Sequence, residues 1–182
     1  MFVQTEVTPN PNSLKFLPGK VVSNSGPYEI TSKDDTHNDL ARNILSIPGV
    51  ENIFLGKDFI SVNKKDHIKW EEIKHIVIAL INDFYADGKQ FVIDKNIENT
   101  KDSLSNLSEI EEKIIKILEQ KIRPAVARDG GDIKFKEYKD GIVKVQLQGS
   151  CSGCPSSTMT LKQGVKNLLC HYLPEIKEVI AI

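Results

Sequence analysis

Apolar residues set among polar ones in VQTEV (3–7) and SLKFL (13–17) look like two short strands. The stretch TPNPN between them carries turn residues. Leu40, Ile44, Leu45 and Ile47 follow at helical spacing until Pro48-Gly49 stops them. NIFLGKDFISV (52–62) reads as a β-hairpin, two apolar runs joined by Gly-Lys-Asp. From Trp70 to Ala86 the positions Ile73, Ile76, Val77, Leu80, Ile81 and Phe84 mark one face of a helix, with Gly88 as its terminator.

The pattern then lapses. DKNIENTKDSLSN (94–106) is polar and nearly free of large apolar groups, the composition of a linker. Beyond it, Ser108 and Glu111 form a capping box, and Ile110, Ile114, Ile117, Leu118 and Ile122 give the buried stripe of a helix. Pro124 lacks a backbone donor, so this helix should kink there or loosen its last turn. Asp129-Gly130-Gly131-Asp132 ends it. IKFKEY and IVKVQL alternate around Lys139-Asp140-Gly141, a second hairpin. Leu161, Val165, Leu168, Leu169 and Tyr172 mark a last helix, Pro174 stops it, and IKEVIAI closes as a strand. The fold class is α+β: two small domains, 1–93 and 107–182, joined by a polar linker over 94–106. No internal repeat is evident.

Composition narrows the function. Of the 182 residues 40% are hydrophobic and 27% charged, ordinary for a globular chain. Net charge is −1, from 24 basic and 25 acidic residues, and neither half carries the concentrated basic surface that nucleic acid requires. No apolar run approaches the ~20 residues needed to span a bilayer. MFVQTEVTPNPNS lacks a basic region followed by an apolar core, so a cytoplasmic (bacterial) location is expected, or the mitochondrial matrix if a presequence has been removed. Three cysteines, an odd number, argue against a disulfide framework and for metal or redox chemistry.

That chemistry concentrates in GSCSGCPSST (149–158). Pro155 suits the first position of a helix, which places Cys154 near the helix start and Cys151 in the loop before it. The positive end of the helix should lower both thiol pKa values, and the small neighbours should leave the sulfurs open. Two thiolates complete neither a zinc site nor a cluster, each of which takes four ligands. Cys170 lies about 24 Å along the helix at ~1.5 Å per residue, too far to help, and His171 is no nearer. Two chains related by a two-fold axis would supply four thiolates, matching a [4Fe–4S] cluster or, less often, a [2Fe–2S] cluster. A thioredoxin-type redox couple and a zinc site shared by two chains are the alternatives.

The runs IRPAVARDGGDIKF, GSCSGCPSSTMTLKQGV and LPEIKEV resemble the C-terminal NifU-type domain of Nfu iron–sulfur proteins over residues 108–182. TPNPNSLKFLPG resembles the N-terminal domain of the same family. The resemblance implies a cluster scaffold or carrier and not an enzyme. Cys151 and Cys154 of two protomers would hold one bridging [4Fe–4S] cluster, received from an upstream assembly scaffold and passed to apo iron–sulfur clients. A thiol–disulfide oxidoreductase using the same pair is the competing function.

Other residues invite weaker readings. Asp129 and Asp132 fit a helix stop better than a cation site, and Arg123 and Arg128 fit the basic end of a helix better than an anion site. His75 falls off the apolar stripe and should be solvated; Cys170 should be structural. Pro9, Asn10, Pro11 and Asn12 suggest only a turn, and the first half, lacking cysteine, is left with partner recognition or regulation.

Overall fold

The computed structural model describes residues 2–90, 107–153 and 155–182. The linker assigned to 94–106 lies outside them. Strand alternation builds a five-stranded sheet from β1 (Gln4–Val7), β2 (Ser13–Leu17), β3 (Tyr28–Ile30), β4 (Val50–Leu55) and β5 (Ile60–Lys64). Their order is β1-β2-β5-β4-β3, and every neighbouring pair is antiparallel. Register puts Leu14 opposite Val62 and Phe16 opposite Ile60, with Ile53 and Leu55 continuing the same face across β4. Helices α1 (Asp39–Leu45) and α2 (Trp70–Ala86) cover that face with Leu40, Ile44, Ile73, Val77, Ile81 and Phe84. Burying each such side chain contributes about 1.5–3 kcal/mol, which holds the first core together. Strand β3 had no sequence signature: three residues between turn-forming stretches are too short to show a period.

The second core forms around β6 (Gly131–Lys139), β7 (Ile142–Gly149) and β8 (Glu178–Ala181). β6 and β7 pair antiparallel through the two-residue turn Asp140-Gly141, both at positive φ, while β8 joins β7 in parallel after a helical crossover. Ile133, Val143, Val145 and Leu147 face α3 (Glu109–Ile117), α4 (Arg123–Arg128) and α5 (Pro155–Tyr172). The Ser108–Glu111 capping box is present at the start of α3. The loosening expected at Pro124 takes a definite form, a π-helical turn over Leu118–Ile122 that separates α3 from α4. It lets Leu118, Ile122 and Val126 stay buried along one side despite the missing amide. Mixed helices and sheets in two domains make the fold α+β, as the periodicity implied.

One feature of the first sheet departs from its sequence pattern. Strand β5 is buried at every position, and β2 at Ser13 and Lys15 as well as at Leu14 and Phe16. The polar face of this sheet is therefore covered, and what covers it is the cysteine loop of the second domain.

Candidate metal centre

The loop begins where β7 ends. Gly149 has φ +67 and Gly130, at the end of α4, has φ +83, so both backbones take a left-handed turn that costs a larger residue about 1–2 kcal/mol. The two turns are tied together by Ser150 N–H donating to Gly130 O at 3.2 Å and by the Ser150 hydroxyl donating to Asp129 O. The Ser152 amide and hydroxyl both donate to Gly149 O, at 3.1 and 2.8 Å. These bonds curl residues 149–152 inward.

Cys151 is consequently buried, 6% exposed, and packs with the second core. Its sulfur rests on the backbone of Gly131, where an added Cβ would come within 2.7 Å of Sγ. Desolvation pushes its thiol up to about 11, reinforced by the charges of Asp129 and Asp132 and opposed by a contact with the Ser150 hydroxyl. Both expectations for this sulfur, a lowered pKa and open access, are overturned. The helix terminus lies close in sequence, but the loop turns the side chain into the core, where burial outweighs the dipole. Cys154, the other expected ligand, lies outside the described residues. A cavity of about 490 Å³ opens beside Cys151, lined by Ile122, Val126, Leu161 and Val165 and, from the first domain, Pro9.

The remaining candidates resolve into structural roles. Arg123 and Asp132 form a bidentate pair, Nε–Oδ1 2.8 Å and Nη2–Oδ2 3.0 Å, which fastens α4 to β6. The carbonyl of Arg128 accepts from Lys15 Nζ at 3.3 Å. Cys170 donates to Ile176 O at 3.1 Å, a local tie between α5 and the turn that follows. His75 is exposed. No group of three or more His, Cys, Asp or Glu that could hold a metal ion occurs among the described residues, and no helix among them is long and apolar enough to cross a membrane.

What sequence reasoning missed is the first domain's part in this loop. Asn10 Nδ2 donates to Ser150 O at 3.0 Å and to Ser152 O at 3.3 Å. Ser61 Oγ donates to Gly130 O at 2.6 Å and Asn63 Nδ2 to Gly149 O at 2.9 Å. The Gly149 amide donates to Glu29 Oε1 at 2.9 Å. TPNPN is therefore more than a turn: Asn10 Oδ1 accepts from the Asn12 amide at 2.9 Å, which aims its amide group at the loop. The available sign was a sheet face carrying Ser, Lys and Asn beside a turn rich in Pro and Asn, but the partner of that face is remote in sequence.

The class the structure defines is a two-domain α+β protein with a thiol-bearing turn leading into a helix. The family described as NifU-like domain matches residues 114–180, and that described as Scaffold protein Nfu/NifU N terminal matches residues 3–88. NifU-like protein 4, mitochondrial, of Arabidopsis thaliana is 43% identical over 98% of this chain and 65% of its own length. NifU-like protein 5, mitochondrial, of the same plant is 42% identical over 98% of this chain and 67% of its length. The NFU1 iron-sulfur cluster scaffold homolog, mitochondrial, of Drosophila persimilis is 42% identical, covering 98% and 64%. The chain thus spans about two thirds of the length of the relatives it matches. The solution structure of a NifU-like protein from Saccharomyces cerevisiae is 35% identical over 52% of this chain and 86% of that one, with a TM-score of 0.47. The chain belongs to the NifU-like (Nfu-type) iron–sulfur cluster scaffold family.

Proposed function

We propose that the chain carries an iron–sulfur cluster between two copies of itself, held by Cys151 and Cys154 of each, and hands it to apo-proteins. The observation that carries the reading is the place of Cys151, on the turn into α5 beside its CxxC partner in sequence, in a member of a cluster scaffold family. Thiolate donors suit iron–sulfur clusters, and four of them suit the [4Fe–4S] form better than the [2Fe–2S] form. One copy contributes two, so the cluster itself joins the protomers. The cluster is cargo: ligand exchange with incoming client thiolates moves it on, and the chain acts as a carrier and not as an enzyme. The second domain, with its boundary in 94–106, holds the ligands. The compartment is one that keeps thiols reduced, bacterial cytoplasm or the mitochondrial matrix.

Cys151 as folded, buried and protonated, is a closed ligand. Loading requires the loop to turn the sulfur outward and release its proton. Anaerobic purification tests the reading: iron, acid-labile sulfide and light scattering should give one four-iron cluster per dimer, with a metal-free monomer. Activation of an apo [4Fe–4S] enzyme by the loaded dimer should survive a strong chelator. A colourless chain with disulfide reductase activity would instead establish a redox couple, and a loaded form that stays monomeric without added thiols would remove the bridging arrangement.

A further inference from the structure

We propose that the polar face of the first sheet is a latch on the cysteine loop, which holds Cys151 inside and must release the loop before its sulfur can meet a metal or a second chain. The significance of release rests on the cluster reading above; the latch itself rests on geometry within one chain.

The latch residues form a register-matched set. Lys15 lies opposite Ser61, Ser61 opposite Phe54 and Phe54 opposite Glu29, a single row running across β2, β5, β4 and β3. Each member of that row meets the two glycine turns of the second domain. Lys15 takes Arg128 O, Ser61 takes Gly130 O, Glu29 takes the Gly149 amide, and the Phe54 ring lies where a Cβ on Gly149 would approach within 2.9 Å. In the adjacent row Asn63 takes Gly149 O, and Asn10 reaches across from the TPNPN turn to Ser150 O and Ser152 O. Every one of these hydrogen bonds ends on loop backbone. The first domain therefore reads chiefly the folded backbone of residues 128–130 and 149–152, and it needs the absence of a side chain at Gly130 and Gly149. Gly130 serves the fit directly, since a Cβ there would lie 2.6 Å from Ser61 Oγ.

Two further observations make this a latch and not a permanent core. The covered face is mostly polar, with Phe54 and Phe59 as its large apolar members, and both lie outside either hydrophobic core. Polar contacts between domains of one chain separate more readily than apolar ones. Docking also leaves Ser13 Oγ, Asn63 Oδ1 and Gln148 Oε1 buried without a hydrogen-bond partner, a cost that opening to water removes. The same contacts place Pro9 on the wall of the cavity beside Cys151, so the first domain contributes to the surroundings of the sulfur as well as fixing its loop. While docked, Asn63 donates to Gly149 O and Asn10 to Ser150 O and Ser152 O, so the first domain covers that side of the loop.

The test uses the full metal-free chain. Asn10→Asp keeps the oxygen that orders its own turn but sets a carboxylate against two carbonyls; Asn63→Ala removes the bond to Gly149 with no added bulk. Each chain is treated with iodoacetamide, and mass spectrometry gives the alkylation rates of Cys151 and Cys170 separately. Cys170 is the internal reference, because it lies on α5 with its own partner and a general loosening of the fold would speed both. Either substitution should raise the Cys151 rate about tenfold, through the loss of hydrogen bonding to the loop, and leave Cys170 unchanged. An unchanged Cys151 rate in both variants, or a rise shared with Cys170, overturns the latch. Should either variant fail to fold, Ser61→Ala removes a single bond from the same row and is read identically. Since no metal is present, the result is independent of cluster chemistry: a wild-type chain that binds no iron would sink the carrier reading and leave the latch standing.

Discussion

Removing Arg123 should damage the second domain more than removing the acid it pairs with. The carboxylate of Asp132 is 4% exposed and the guanidinium of Arg123 is 32% exposed, joined by two bonds of 2.8 and 3.0 Å. Arg123→Ala strands a buried negative charge, for which about 3–5 kcal/mol is typical. Lys134 lies near enough to interact with that carboxylate, so a loss near the lower figure, about 3 kcal/mol, is expected. Asp132→Ala instead frees a cation that reaches water and retains Glu119 at 3.8 Å; its cost should be about 1–2 kcal/mol. Urea unfolding separates the two cores. Trp70 packs against the first core, so its fluorescence reports that unit, and the circular-dichroism change without a fluorescence counterpart reports the second. Equal losses, or losses below about 0.5 kcal/mol for both, would show that Asp132 is solvated and that the pair is a surface contact.

Gly149→Ala should destabilise the chain by about 1–2 kcal/mol or more, from its positive φ and the approach to Gly130 O at 2.7 Å, measured as a fall in thermal midpoint. Glu29→Gln should flatten a pH dependence. Burial raises the Glu29 carboxyl above its ordinary 4.5, against the lowering by the Gly149 amide, so its contribution to stability is full below 4.5 and declines as pH rises through the raised value. The amide variant keeps an acceptor for Gly149 and should gain on wild type by up to about 1 kcal/mol at pH 7, with the two chains converging near pH 4 in thermal melts. Cys170→Ser should retain full iron content after anaerobic reconstitution while Cys151→Ser loses it; iron loss from Cys170→Ser in a folded chain would contradict the ligand assignment.

The periodicity of the chain marked most elements of both domains, β3 aside, because the longer strands and helices must each present an apolar face. The stripe Ile73, Val77, Ile81 and Phe84 can be satisfied in one way, as the inner side of α2. Capping residues and glycines fixed where helices start and stop by local hydrogen bonding alone, as at Ser108 and Gly130. The cysteine pair was likewise visible as a local arrangement, two thiols with two residues between them before a helix-starting proline. Tertiary structure decided the rest. Lys15, Ser61 and Asn63 alternate like solvent-facing positions, yet they are buried, because their partners are carbonyls 69 to 113 residues away in sequence. Backbone carbonyls carry no side-chain signature, so no pattern in the sequence could have named Asn10 as their partner. The state of Cys151 followed from the same cause. Helix position would lower its pKa, but a thiol responds to the solvent it loses, and how much water it loses is set by Gly131, the second core and a domain that joins it only in the folded chain.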